Sequence, residues 1–303
     1  MSVRTLIAIT TYQKTDALDC LLKSLEKYGY MEGNKVLICD DNAGQDYYIT
    51  QKDNPNHPHW VELENTHHAA PYPNDEEKEQ MADLELGRQK VQSPAKHIAN
   101  MALFNPKFKE VEVISGKARG GVAINKNRGI KYFLEHPEFD ELLMLDDDIV
   151  MTGPGLLEAC RATGEPHMTG LLGGTEGAIF GADACPFFQS FPPKGETPTH
   201  WFCTGSMGMM LWYTRACVEK VGYFNAMPDK YGAEHSLYSC RINALYGKYI
   251  DWFPILKGCE GYFVSQSIPN NYTADYEKNM KYYNKIKPEI FKGINLTIKK
   301  SGC

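Results

Sequence analysis

The chain has 303 residues, 43% of them hydrophobic and 23% charged, which is enough to bury a sizeable core in one large α/β domain or two small ones. With 38 acidic against 32 basic residues the formal net charge is −6, which argues against nucleic-acid binding by bulk electrostatics. No apolar run reaches the length of a membrane span, and no secretory apolar region precedes the first strand-like segment, so a cytoplasmic location is expected.

Nine cysteines, at positions 20, 39, 160, 185, 203, 217, 240, 259 and 303, are odd in number, scattered and without a Cys-x-x-Cys pair. They fit reduced, mostly buried thiols rather than a disulfide frame or a zinc site.

In chain order, Thr5-Leu6-Ile7-Ala8-Ile9-Thr10 is a continuous apolar run of the kind a buried parallel strand shows. Ala17, Leu18, Leu21, Leu22 and Leu25 follow at helical spacing and predict a helix with Thr15 or Asp16 as its N-cap. Lys35-Val36-Leu37-Ile38-Cys39 predicts a second buried strand that closes on Asp40-Asp41-Asn42. Strand, helix and strand in about 40 residues form a right-handed βαβ unit with its loops at the carboxyl edge of the sheet.

Residues 51–110 read as an insertion. Pro55, Pro58, Pro71 and Pro73 break the segment, and six acids from Asp75 to Arg88 suggest a solvated helix. Its His57, His59, His67 and His68 have no cysteine partners and no HExxH spacing, so they read as surface or packing histidines ahead of zinc ligands. Val111 to Ser115 predicts a third strand. Val122 to Phe133 predicts a helix that begins after Gly120-Gly121 and carries Lys126 and Arg128. The amino end of such a helix, with its N–H groups and dipole, suits a diphosphate, while the Gly-Gly pair reads equally as a tight turn.

Leu142-Leu143-Met144-Leu145-Asp146-Asp147-Asp148-Ile149-Val150 is the stretch around which the rest is arranged. It reads as a buried strand presenting acids at its carboxyl end, where open α/β sheets collect ligands. Asp146 and Asp148, two residues apart, can reach one hard divalent cation while Asp147 faces elsewhere. Three adjacent carboxylates with no nearby Lys or Arg call for such a cation, although an acidic turn accounts for the same letters.

Further on, Leu156 to Ala162 predicts a short helix, Gly170 to Gly181 a Gly-rich apolar sheet segment, and Pro192 to Pro198 a loop. Trp201 to Trp212 suits strands, Arg215 to Gly222 a short helix, and Tyr231-Gly232-Ala233-Glu234-His235 opens a helix that ends near Leu245. From Tyr272 onward seven lysines face three acids, a local +4 against −10 before it. Such a segment reads as a solvated terminal helix or as a surface for an anionic acceptor or membrane.

With these segments placed, the chain resembles the family 2 inverting glycosyltransferases of GT-A fold over about residues 4 to 250. Thr10-Thr11-Tyr12-Gln13-Lys14 is similar to the family's Thr/Ser-Tyr-Asn-Arg/Lys loop, and Cys39-Asp40-Asp41-Asn42-Ala43 to its Val-Asp-Asp-Gly/Asn-Ser. Gly120 to Gly129 is similar to its Gly-Gly…Ala-Arg-Asn-x-Gly helix, and Leu145-Asp146-Asp147-Asp148 to its Leu-Asp-x-Asp. The resemblance implies an α/β fold of GT-A type with a Rossmann-like, mostly parallel mixed sheet. Within one domain over 1–270, residues 1–150 form the nucleotide-sugar half and 151–270 the acceptor half, followed by a basic, aromatic tail over 271–303.

The same resemblance implies that Thr10, Tyr12, Lys14, Asp41, Lys126 and Asp146 bind the nucleotide sugar, with Thr10 and Tyr12 on the base and Asp41 on base or ribose. Asp146 and Asp148 would hold Mn²⁺ or Mg²⁺ against the diphosphate. Lys126 stands where the family has Arg, keeping the charge without the bidentate fork. Inversion needs a base opposite the nucleotide. Tyr231 to His235 resembles the family's aromatic-Gly-Gly-Glu-Asp motif with His235 in the slot of the Asp, so the base is Glu234 or His235, with Glu234 favoured, or else His235 ligates the metal.

The expected activity is metal-dependent inverting transfer from a nucleotide sugar, with UDP as the expected nucleotide, to an acceptor hydroxyl. The sugar, the oligomeric state and the acceptor stay open, the last among a glycan, a lipid-linked glycan, a protein and a modified nucleobase. A sugar-nucleotide pyrophosphorylase shares such a sheet but calls for a Gly-rich loop with Arg and Lys that Thr10 to Asp16 lacks. A non-catalytic glycan-binding module is the third reading.

Overall fold

The apolar first strand, β1 (Thr5–Thr11), is buried along its whole length, and α1 (Thr15–Lys27) returns the chain to β2 (Lys35–Asp40), which pairs with β1 in parallel. The computed structural model describes residues 3–50, 88–116, 120–171, 191–265, 273–294 and 296–299. The histidines of the insertion, its acidic run up to residue 87, and the Gly-rich segment after Leu171 lie outside the described residues. Just before the insertion, β3 (Tyr47–Thr50) pairs antiparallel with β4 (Arg88–Val91) inside it, and α2 (Pro94–Phe104) leads out to β5 (Glu112–Ser115).

Next come α3 (Val122–Glu135), β6 (Glu141–Asp146), β7 (Ile149–Met151), α4 (Leu156–Ala162) and β8 (His167–Thr169). The second half comprises β9 (Pro193–Glu196), β10 (His200–Cys203), β11 (Met210–Thr214), α5 (Arg215–Val221), α6 (Glu234–Leu245), β12 (Phe253–Leu256), β13 (Phe263–Ser265) and α7 (Thr273–Phe291). The main sheet runs β5-β2-β1-β6-β11-β8-β12-β10-β9. Its first four strands are parallel; β11 then turns antiparallel to β6 and begins a mixed half.

Alternation along the strands sorts the core into two layers. Ile7, Ile9, Leu143 and Leu145 face Leu18, Leu21, Leu22 and Leu25 of α1, while Leu6, Ala8, Leu142 and Met144 face Ala123, Ile130 and Phe133 of α3. Both faces are covered, so the strands read as unbroken apolar runs. Gly129 lets α3 lie close to the sheet, since a Cβ there would stand 3.0 Å from Ala8 Cβ and 3.1 Å from Met144 Cε.

Two local expectations are corrected. The N-cap of α1 is Lys14, because the Thr15 hydroxyl donates to the Gln92 carbonyl at 2.9 Å instead of turning onto its own helix. The segment expected as a loop at Pro192–Pro198 contains edge strand β9, paired antiparallel with β10. The terminal helix expected from Tyr272 onward is α7, one side of which buries Tyr283, Ile286 and Ile290 against Leu237 and Cys240 of α6. Of the seven described cysteines, six are buried and Cys20 is exposed. Among the described residues no helix is long and apolar enough to cross a membrane.

Candidate active site

β1 and β6 pair in register from Thr5 opposite Glu141 to Thr10 opposite Asp146, so their carboxyl ends finish side by side. The Thr10 hydroxyl donates to Asp146 Oδ1 at 2.8 Å and orients that carboxylate. The next residue turns back: Asp147 Oδ2 accepts from the Tyr12 N–H at 3.4 Å, and its other oxygen lies 3.8 Å from Lys14 Nζ. Lys14 also reaches Asp148 Oδ2 at 3.3 Å. The fold therefore brings cations to a triplet that has none beside it in sequence. Asp148 Oδ1 remains buried without a hydrogen-bond partner among the described residues.

Burial pushes the Asp147 carboxyl up to about 7, with Lys14 opposing and Asp148 adding to the rise. Burial raises Asp146 as well, against the pull of Lys126. Lys126 itself is 1% exposed. Its Nζ donates to the Gly208 carbonyl at 2.7 Å and to Glu234 Oε1 at 3.1 Å, and lies 3.6 Å from Asp146 Oδ1. One buried cation thus joins the tip of β6 to the first residue of α6. Removing it would strand buried charge at a cost of about 3–5 kcal/mol.

Burial would raise the Glu234 carboxyl, but Lys126 and then His235 outweigh it and hold it well below the usual range. Glu234 is therefore an ionised carboxylate throughout the neutral range. His235 Nδ1 lies 3.3 Å from Glu234 Oε1 and Nε2 lies 3.0 Å from the Ser206 carbonyl oxygen. Both partners are acceptors, so whichever nitrogen carries the N–H donates to one of them. Gly208 admits the ring, because a Cβ there would stand 2.6 Å from His235 Nδ1.

The amino end of α3 departs from the expectation of an open phosphate site. Its preceding N–H groups, Gly120 and Gly121, donate to the Asp41 carboxylate at 3.0 and 2.9 Å, and Val122 N–H donates to the Lys230 carbonyl at 2.8 Å. Arg128 Nη1 also reaches Asp41 Oδ1 at 3.0 Å. Three N–H groups at this turn already have protein acceptors, and Asp41 organises it. Gly121 adopts φ 88°, and a Cβ there would meet Lys230 Cα at 2.8 Å.

Glu234 follows a turn in which Gly232 and Ala233 are left-handed, at φ 94° and 65°. For alanine that backbone costs roughly 1–2 kcal/mol, so the turn is held by its surroundings. The Tyr231 phenol faces the same acids: burial raises it first, then the charges of Asp146 and Glu234. The structure brings together Thr10, Lys14, Lys126, Asp146, Asp148, Glu234 and His235, with Tyr12 contributing its backbone N–H. Sequence reasoning missed the carbonyls of Ser206 and Gly208. The small-residue run Gly205-Ser206-Met207-Gly208 was the available signal.

No family model matches the chain, and no curated protein matches it. Solved structures do. The mannosyltransferase PcManGT from Pyrobaculum calidifontis, in complex with GDP-Man and Mn²⁺, is similar at TM-score 0.53 and 11% identity over 98% of this chain and 70% of that one. GalNAc-T7 with UDP, GalNAc and Mn²⁺ is similar at TM-score 0.51 and 13% identity over 94% of this chain, which spans about half, 48%, of its length. The fold is that of the GT-A glycosyltransferases.

Proposed function

We propose that this protein is a metal-dependent inverting glycosyltransferase, moving a sugar from a nucleoside diphosphate sugar, with UDP as the expected nucleotide, to an acceptor hydroxyl. The observation that carries the reading is the Asp146–Lys126–Glu234 arrangement, in which one buried lysine holds a strand-tip acid on one side and an ionised helix-start acid on the other. Two solved relatives of the fold, PcManGT and GalNAc-T7, hold GDP-Man with Mn²⁺ and UDP, GalNAc and Mn²⁺.

A divalent cation fits Asp146 and Asp148. The donors are hard oxygens, Asp148 keeps an unpartnered buried oxygen, and Lys14 and Lys126 leave the four acids under-compensated. Bound there, Mn²⁺ or Mg²⁺ would neutralise a diphosphate leaving group as a Lewis acid. The rest of the work belongs to the chain. Thr10 orients Asp146, and Lys126 fixes Glu234 Oε1. Glu234 accepts the proton of the attacking hydroxyl as its oxygen bonds to the anomeric carbon and the carbon–diphosphate bond breaks on the opposite face. His235, whose Nδ1 lies 3.3 Å from Glu234 Oε1, steadies Glu234 in this reading, with the role of base or metal ligand as its alternative.

Thermal-shift titration with UDP-glucose, UDP-GlcNAc and GDP-mannose, with and without Mn²⁺, tests the proposal. One donor should raise the Tm only when Mn²⁺ is present, corresponding to about 2.7 kcal/mol at 100 times its Kd. A Tm unmoved by every nucleotide sugar would overturn the reading. Stabilisation by a nucleoside triphosphate with a sugar 1-phosphate, and pyrophosphate release, would favour the pyrophosphorylase.

A further inference from the structure

We infer that Asn279, on the carboxyl-terminal helix and far from Glu234 in sequence, is a positioning residue for the base; this rests on the transferase reading above. Asn279 is 0% exposed. Its Oδ1 accepts from the Asp229 N–H at 2.9 Å, and its Nδ2 donates to the Asp229 carbonyl at 3.0 Å and to the Tyr231 carbonyl at 2.7 Å. One acceptor and both amide hydrogens are thus spent on a single three-residue loop. The opposite amide orientation would set NH₂ against N–H and oxygen against two carbonyls.

The loop is gripped from its other side by α3, through Val122 N–H on the Lys230 carbonyl and Lys126 on Glu234. Val122 and Lys126 are four residues apart, on one face of that helix. Residues 229–234 therefore lie between the helix that carries Lys126 and the helix that carries Asn279. Between Asn279's last contact, Tyr231, and Glu234 stand only Gly232 and Ala233, both left-handed. A turn in that conformation keeps its shape only while both ends are fixed. The Lys278–Asp229 pair at 2.7 Å is a surface contact, with Lys278 63% exposed, and adds little. The buried amide is what holds the outer end.

Asn279→Ala is compared with Ile290→Ala, which removes core packing from the same helix without removing any hydrogen bond to the loop; Ile290 is 1% exposed. Both variants should lower the Tm by a few degrees. Asn279→Ala should also cut kcat for nucleoside diphosphate release at least about tenfold with donor KM little changed, since small misplacements of a catalytic group cost that much or more. It should speed amide hydrogen exchange in residues 229–235 while β1 and β6 stay protected. Ile290→Ala should leave kcat and that exchange at parental values. Equal kcat in the two variants, or unchanged exchange at 229–235 in Asn279→Ala, would overturn the assignment. If the parent binds no nucleotide sugar, the transferase reading and Asn279's role toward its base fall together, whereas the exchange comparison still reads the hold on the loop. Donor binding by the parent with equal variants sinks the Asn279 assignment alone.

Discussion

The tips of β2 and β6 are written in nearly the same letters and hold their charge in opposite ways. Both strands are apolar, both lie parallel to β1, one on each side, and both end in consecutive acids. At β2 the acids are met by donors. Asp40 accepts from the N–H groups of Asn42 and Gly44 and from the Ser115 hydroxyl, and Asp41 from Gly120, Gly121 and Arg128. At β6 the donors run short: Lys14 is shared between Asp147 and Asp148, Lys126 between Asp146 and Glu234, and one buried oxygen of Asp148 has no partner. A strand-end carboxylate with its donors supplied is held in place by the chain itself. One left short of donors is where the proposed cation would bring its positive charge.

The largest expected effect tests the acid across Lys126 from the β6 tip. Glu234→Gln keeps size and hydrogen bonding but cannot take a proton, so turnover should fall by roughly 10²–10⁴-fold while Mn²⁺-dependent stabilisation by the donor persists. If His235→Ala alone produced this pattern, the base would be His235. The two tips can then be separated directly. Asp41→Ala leaves two N–H groups without their acceptor and takes the carboxylate from Arg128, which keeps Asn125 Oδ1 and the Asp40 carbonyl, and should lower stability by about 2–4 kcal/mol in urea unfolding. Asp148→Ala should do the reverse, sparing the metal-free stability because it removes a repulsive charge, and abolishing the Mn²⁺-dependent Tm shift. A Mn²⁺ response that survives Asp148→Ala, or vanishes in a still-folded Asp41→Ala, would break the comparison.

What was legible in the sequence follows the range of the interaction. β1, β2 and β6 announce themselves as apolar runs because both faces of the parallel half are covered, and α1 and α3 carry the period of a helix lying on one face. The four Pro, Lys, Gly and Glu residues of β9 carry no such signal, since three are exposed and only backbone pairing with β10 makes them a strand. The strand-tip acids were visible as letters, but their donors were not. Lys14 pairs with Asp148 across 134 residues and Lys126 with Glu234 across 108. Spacing reports one element's own geometry. Which cation meets which acid depends on how the βαβ crossovers stack, and neither His235's two acceptors nor the capped start of α3 could be read before that stacking was known.

A smaller effect sets the pH window in which the tips can be compared. His167, in β8, is 0% exposed, and neither ring nitrogen has a hydrogen-bond partner among the described residues. Burial first, and the Lys248 charge second, depress its imidazole from 6.5 to about 3. Between those values the unfolded chain binds a proton that the folded chain refuses, so stability is full above pH 6.5 and falls as the solution is acidified toward pH 3. By pH 5 the loss should be at most about 2 kcal/mol. His167→Phe keeps a ring parallel to Tyr213, whose centroid lies 6.3 Å away, and removes the titration. Urea unfolding at pH 7 and pH 5 should then show a smaller difference in the variant than in the parent. An equal difference in both would mean that other groups carry the acid response, and stability losses at the two strand tips would have to be compared above pH 6.5 in any case, where this imidazole is neutral in both states.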